Sequence, residues 1–188
     1  MRILVTGSSG WLGQTLVPHL QRDEHTVVGI DPVPAPTTHI VGSIVDRGLV
    51  RSVLRDFAIE AVIHAGALHK PNIVTHRPAE FVSVNVQGTL NLLEEAVAPG
   101  ANVDRFVFTS TTSVMISRAI SAGRAGGAMR ATWITEEMAP LSPRNIYGVT
   151  KLAAEHLCRI YHEQYRLPVL ILRTARFFPE AEDRKSVV

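Results

Sequence analysis

The stretch R-I-L-V-T-G-S-S-G-W-L-G, running from Arg2 to Gly13, constrains the fold more than any other part of the chain. Ile3, Leu4 and Val5 are apolar without a polar alternation, as in a strand buried on both faces of a parallel sheet. The run stops at Thr6-Gly7. Trp11, Leu12, Leu16, Val17 and Leu20 then recur at helical spacing. Glycines at 7, 10 and 13 let the backbone turn tightly between the two elements and let the helix pack closely on the strand.

The same pattern repeats in weaker form along the chain. T-V-V-G-I ends at Asp31, and His39-Ile40-Val41 makes a third strand. Leu49, Val53, Leu54 and Phe57 mark a helix, and Ala61-Val62-Ile63-His64 a fourth strand running into Ala65-Gly66-Ala67. A long helix is expected from Pro78 to Ala98, striped by Phe81, Val84, Leu92 and Leu93. Asn85 interrupts that stripe and needs a partner if buried. Arg105 to Phe108 is the fifth strand, ending in T-S-T-T-S. A helix from Tyr147 to Tyr165 keeps Leu152, Leu157, Ile160 and Tyr161 for the core, and Val169 to Leu172 is the sixth strand. Strands alternating with helices throughout predict an α/β chain, a doubly wound parallel sheet of about six strands with helices on both faces.

Composition narrows the classes. At 188 residues and 46% apolar, the chain supports one sizeable core. A net charge of +2 with well-mixed signs gives no footprint for nucleic acid or a membrane surface. Cys158 is the single cysteine, so no disulfide forms within one chain, and it reads as a packing residue. No apolar run is long enough to span a bilayer, and the start leaves no room for a signal peptide. The expectation is a soluble cytoplasmic protein. His64 and His69 lack paired ligands at metal spacing and read as strand-end packing or turn hydrogen bonding; no metal site is expected.

Three features carry chemistry. A glycine turn that opens a helix presents amide donors and the positive dipole end to a pyrophosphate. The spacing is G-x-x-G-x-x-G, and strand before and helix after make it a dinucleotide signal. Asp31, eighteen residues past Gly13, can accept hydrogen bonds from both adenosine ribose hydroxyls and would repel a 2′-phosphate, which favours NAD over NADP. The alternative is that Asp31 merely opens the turn D-P-V-P-A-P. Third, Tyr147 and Lys151 lie one helical turn apart, and an ammonium near a phenol favours the phenolate. Tyr147 is then a proton-transfer group, and hydroxyls at the end of the fifth strand can orient a substrate oxygen against it.

Taken in order, T-G-S-S-G-W-L-G, Asp31, H-A-G-A, N-V-Q-G-T and Y-G-V-T-K resemble the extended short-chain dehydrogenase/reductases, in particular the NAD-dependent epimerase/dehydratase branch with its Rossmann fold. The resemblance implies that Tyr147 is the acid/base and that Lys151 orders the nicotinamide ribose and lowers the tyrosine pKa. It assigns the reacting oxygen to Thr111, with Ser110 and Thr112 as register alternatives. It implies cofactor contacts from Gly7, Gly10, Trp11, Leu12 and Gly13, from Asp31 and Ile44, and from Ala65, Gly66 and Ala67. Asn85, Thr109, Tyr147 and Lys151 complete that set. The implied chemistry is hydride transfer between NAD and a secondary hydroxyl of a sugar-like substrate, possibly a nucleotide-sugar. The competing reading is a non-catalytic NAD-binding or sensing module.

The sequence departs from that pattern in places. Ser43 stands where the family often has an aspartate for the adenine amine, Met115-Ile116 where a Tyr-Gly is common, and Arg176 in the place of an asparagine that often binds nucleotide-sugars. Residues 1–176 are expected to form the cofactor domain and 177–188 to begin a substrate region that lies outside this sequence. Homodimerisation through the helices before and after the Ser/Thr strand is the family's habit.

Overall fold

In the computed structural model, residues 1–121 and 134–175 are described. Arg176, the stretch E-A-E-D-R-K and most of the Gly/Ala/Arg-rich segment lie outside them. β1 (Arg2–Thr6), α1 (Trp11–Arg22), β2 (Thr26–Asp31), β3 (Ile40–Val41), α2 (Arg47–Asp56) and β4 (Ala61–His64) form the first half. After a 3-10 turn at Lys70–Val74 come α3 (Pro78–Phe81), α4 (Gly88–Ala96), β5 (Arg105–Thr111), α5 (Arg118–Ser121), α6 (Ile146–Tyr165) and β6 (Val169–Thr174). All pairings are parallel, in the order β3-β2-β1-β4-β5-β6. This is the Rossmann order, in which the chain reverses direction between β1 and β4 and leaves a crevice at their carboxyl ends.

Alternation along the strands splits the core into two layers. Leu4, Ile30, Phe106 and Phe108 face α2, α4 and α6, where Val53, Leu54, Leu92, Leu93 and Cys158 complete the larger cluster. Ile3, Val5, Val27 and Ala61 face α1 through Val17. The sheet is thus covered on both faces at its centre, which is why the β1 run needs no polar alternation.

Several expectations are corrected. The third strand has only Ile40 and Val41; the His39 ring instead accepts the Gly29 N–H at 2.9 Å. Phe57 is the C-cap just past α2, and Ile160, expected in the core, is 42% exposed. The helix expected from Pro78 to Ala98 is not one α-helix: Val82–Gln87 form a π-helical turn between α3 and α4, and α4 ends at Ala96. β5 runs on through Thr111, because the hydroxyl-rich end keeps its pairing with β6 as far as Thr174.

Candidate active site

The β1–α1 turn forms one wall of a cleft of about 480 Å³ at the carboxyl edge of the sheet. Gly7 has φ +73°, and a Cβ there would stand 2.7 Å from the Gly66 backbone. Two backbone turns therefore meet with no room for a side chain. Gly13 does not line the cleft. It lets α1 settle on the turn, since its Cβ would come within 2.3 Å of the Gly7 carbonyl. Gly10 is the N-cap of α1 and carries no side chain to occupy the helix N-terminus, and it lines the cleft with Trp11 and Leu12.

Asp31, at the end of β2, stands beside this turn. Its Oδ1 accepts the Val33 N–H at 2.9 Å and its Oδ2 the Ser9 N–H at 3.3 Å. The carboxylate therefore does open the D-P-V turn, as the simpler reading has it, and it also lines the cleft beside the glycine turn. Trp11, Leu12, Ile44, Ala65, Gly66, Ala67 and Thr109 line the same cleft, together with Ser43. The Ser43 hydroxyl accepts the Val45 N–H at 3.2 Å. Leu68 and His69 extend the wall toward Tyr147, whose ring centre is 6.0 Å from that of His69.

Asn85, Tyr147 and Lys151 stand behind this wall, each at least nine-tenths buried. α6 begins at Asn145, whose side chain accepts the Gly148 N–H at 3.0 Å and fixes the turn that carries Tyr147. Burial raises the pKa of Tyr147, against a smaller downward pull from the Thr111 hydroxyl. Lys151 is sunk deeper, with Nζ 4.1 Å from the centre of the Phe108 ring. Loss of hydration brings its pKa down to about 7, against a smaller pull upward from Cys158 and Glu155. The tyrosine pKa moves up rather than down because of burial, and Lys151 is not among the groups that shift it. Both groups pay for burial, and desolvation disfavours phenolate and ammonium alike.

The three hydroxyl side chains at the end of β5 take different partners. Thr111 faces Tyr147 and also accepts the Ser113 N–H at 3.1 Å. Ser110 turns to the other face and donates to Glu155 Oε1 at 2.5 Å. Thr112 opens a 3-10 turn.

Two networks were not foreseen. Gly66 N–H donates to Thr6 Oγ1 at 2.9 Å, so the threonine proton goes to His64 Nδ1 at 2.7 Å. On the far side, Thr89 Oγ1 donates to the Asn85 carbonyl at 2.7 Å and accepts from His64 Nε2 at 2.9 Å. These directions assign a neutral imidazole protonated on Nε2. Burial, and secondarily the Lys151 charge, hold its pKa well below the usual value. The second network joins Glu155 to Ser110 and Arg173. His64 and Glu155 were visible in the sequence, but nothing local there pairs them with residues this far apart.

The model of the NAD-dependent epimerase/dehydratase family matches residues 3–186. The chain is 33% identical over 176 residues to a UDP-glucose 4-epimerase of Erwinia amylovora, covering 86% of this chain and 48% of that protein. It is 28% identical over 203 residues to the dTDP-D-glucose 4,6-dehydratase of Homo sapiens, covering 100% of this chain and 53% of the relative. The solved Thermus thermophilus UDP-glucose 4-epimerase, a complex with NAD, superposes with a TM-score of 0.77 at 28% identity, over 92% of this chain and 54% of that one. The chain thus spans about half the length of the relatives it matches. With the 3-2-1-4-5-6 sheet, the glycine-turn cleft and a family match over nearly every residue, the chain belongs to the NAD-dependent epimerase/dehydratase family.

Proposed function

We propose that this chain is the cofactor-binding part of an enzyme that transfers a hydride between NAD and a secondary hydroxyl carbon of a nucleotide-sugar. The observation that carries the reading is Tyr147 beside Thr111, with Lys151 one turn on, directly behind the His69 wall of the glycine-turn cleft. The residues present fit the cofactor: a side-chain-free helix N-terminus for the pyrophosphate, Asp31 for the adenosine ribose, and small residues at 65–67 where the backbone must be approached. When bound, NAD supplies a reversible hydride acceptor.

The rest of the chemistry belongs to the side chains. Thr111 holds the substrate oxygen by a hydrogen bond, and Tyr147 takes the hydroxyl proton as the carbon gives up its hydride. The reverse sequence delivers both back to the same carbon. Lys151, when protonated, favours the phenolate that accepts the proton. UDP-glucose and dTDP-glucose, as named for the relatives, are the first substrates to try. α6 carries exposed apolar residues, Val149 and Ile160 among them, and Val82 is exposed on the π-helical turn before α4. A homodimer through these helices is the assembly we infer, and a monomer in sedimentation would count against it.

Tyr147→Phe in the full-length protein tests the catalytic reading. Turnover of the accepted sugar nucleotide should fall by roughly 10²- to 10⁴-fold, with NAD+ affinity nearly unchanged. Undiminished turnover would remove Tyr147 from the mechanism.

A further inference from the structure

Glu155 has no exposed surface, yet it is a carboxylate in the core beneath the site. A buried charge is tolerated only when its oxygens are fully engaged. Both are. Oε1 accepts from Ser110 Oγ at 2.5 Å and from Arg173 Nε at 3.0 Å; Oε2 accepts from Arg173 Nη2 at 2.7 Å and lies 3.2 Å from Nε. The remaining Arg173 nitrogen, Nη1, is 3.6 Å from Met115 Sδ. One carboxylate thereby ties α6 to the ends of both β5 and β6.

The two residues fixed by this clasp each adjoin a member of the candidate site. Ser110 precedes Thr111, and its carbonyl accepts the Thr174 hydroxyl at 3.1 Å, so the strand end is held from two sides. Glu155 itself is one helical turn from Lys151. A negative charge there favours the ammonium form of a lysine that burial would otherwise neutralise. The other titratable groups in reach of Lys151 are Cys158 on the same helix and His64 and His69 on and just after β4.

We propose that Glu155, clamped by Arg173, is a positioning residue for this active site: it holds the strand end that carries Thr111, commits Ser110 to structure and sets a carboxylate one helical turn from Lys151. The proposal rests on the catalytic reading of Tyr147, Thr111 and Lys151. It also explains the departure at Met115, whose sulfur packs against the guanidinium that holds the clasp.

The test uses Glu155→Gln and the double variant Glu155→Gln/Arg173→Met in the full-length protein. Gln keeps an acceptor for Ser110 while removing the charge; the double variant removes both charges, so that no lone ion is left in the core. Lys151 is titrated by NMR of ¹³Cε-labelled lysine, with Lys151→Met assigning its signal. The folded variants are expected to lower the proton affinity of Lys151 about tenfold, to move the alkaline-side pH profile of turnover in the same direction, and to reduce kcat more than the KM for NAD+. A folded double variant whose Lys151 titration and kcat both match the unmodified protein would overturn the proposal. The Tyr147→Phe comparison separates the two claims: a shifted Lys151 titration with turnover indifferent to Tyr147 would reject the catalytic reading and, with it, the positioning role.

Discussion

Asn85 holds both backbone polar groups of Leu68: its Oδ1 accepts the Leu68 N–H at 2.7 Å, and its Nδ2 donates to the Leu68 carbonyl at 2.9 Å. The same Nδ2 reaches Thr150 Oγ1 at 3.1 Å, on the turn of α6 that carries Tyr147 and Lys151. One amide therefore joins the loop after β4 to α6. The π-helical turn at Val82–Gln87 carries Asn85 at this point, and such turns recur at functional sites because they re-aim one side chain.

Replacing Asn85 with Ala leaves two half-buried backbone groups of Leu68 without their side-chain partner. The expected loss of stability is roughly 2–4 kcal/mol, read as a lower midpoint in urea unfolding. NAD+ affinity should fall as well, because Leu68 and the preceding small residues line the cleft. A loss below about 0.5 kcal/mol would show that water replaces the clamp at little cost.

Lys151 makes stability depend on pH in a definite direction. Its ammonium titrates near 10.5 when unfolded and at about 7 in the fold. Between those values the unfolded chain binds more protons, so stability rises as pH increases through the window. Below about 7 both states are charged and the fold bears the full cost of the buried ammonium. Lys151→Met is therefore expected to be more stable than the unmodified chain at pH 6, by roughly 2–5 kcal/mol. The advantage should shrink toward pH 10.5. An advantage that is constant with pH would mean that Lys151 keeps its ordinary affinity for protons. The arrangement exchanges stability for a poised cation, as functional sites commonly do.

Local pattern exposed the sheet, the glycine turn and the Tyr147–Lys151 spacing, because each depends on residues close in sequence. The interruption at Val82–Gln87 escaped because periodicity of the apolar stripe barely changes across one π turn, and Asn85 announced only a need for a partner. Ile160 carries the helical period but faces outward, since the period places a residue on a stripe without saying how wide the covered face is. The electrostatics of Tyr147 and Lys151 were misread for a different reason: spacing along a helix fixes their proximity, whereas burial, which decides both pKa directions, is set by Phe108 and the rest of the core. The partner that Ser110 takes is Glu155, forty-five residues further along.

The claim on which all else rests is that the cleft beside Asp31 binds NAD. Calorimetric titration of the purified chain with NAD+ and NADP+, beside Asp31→Ala, tests it most directly. NAD+ should bind more tightly than NADP+, and Asp31→Ala should weaken NAD+ about tenfold or more while narrowing the gap between the two cofactors, since the carboxylate that repels a 2′-phosphate is gone. Absence of NAD+ binding, or NAD+ affinity indifferent to Asp31, would contradict the assignment of the cleft.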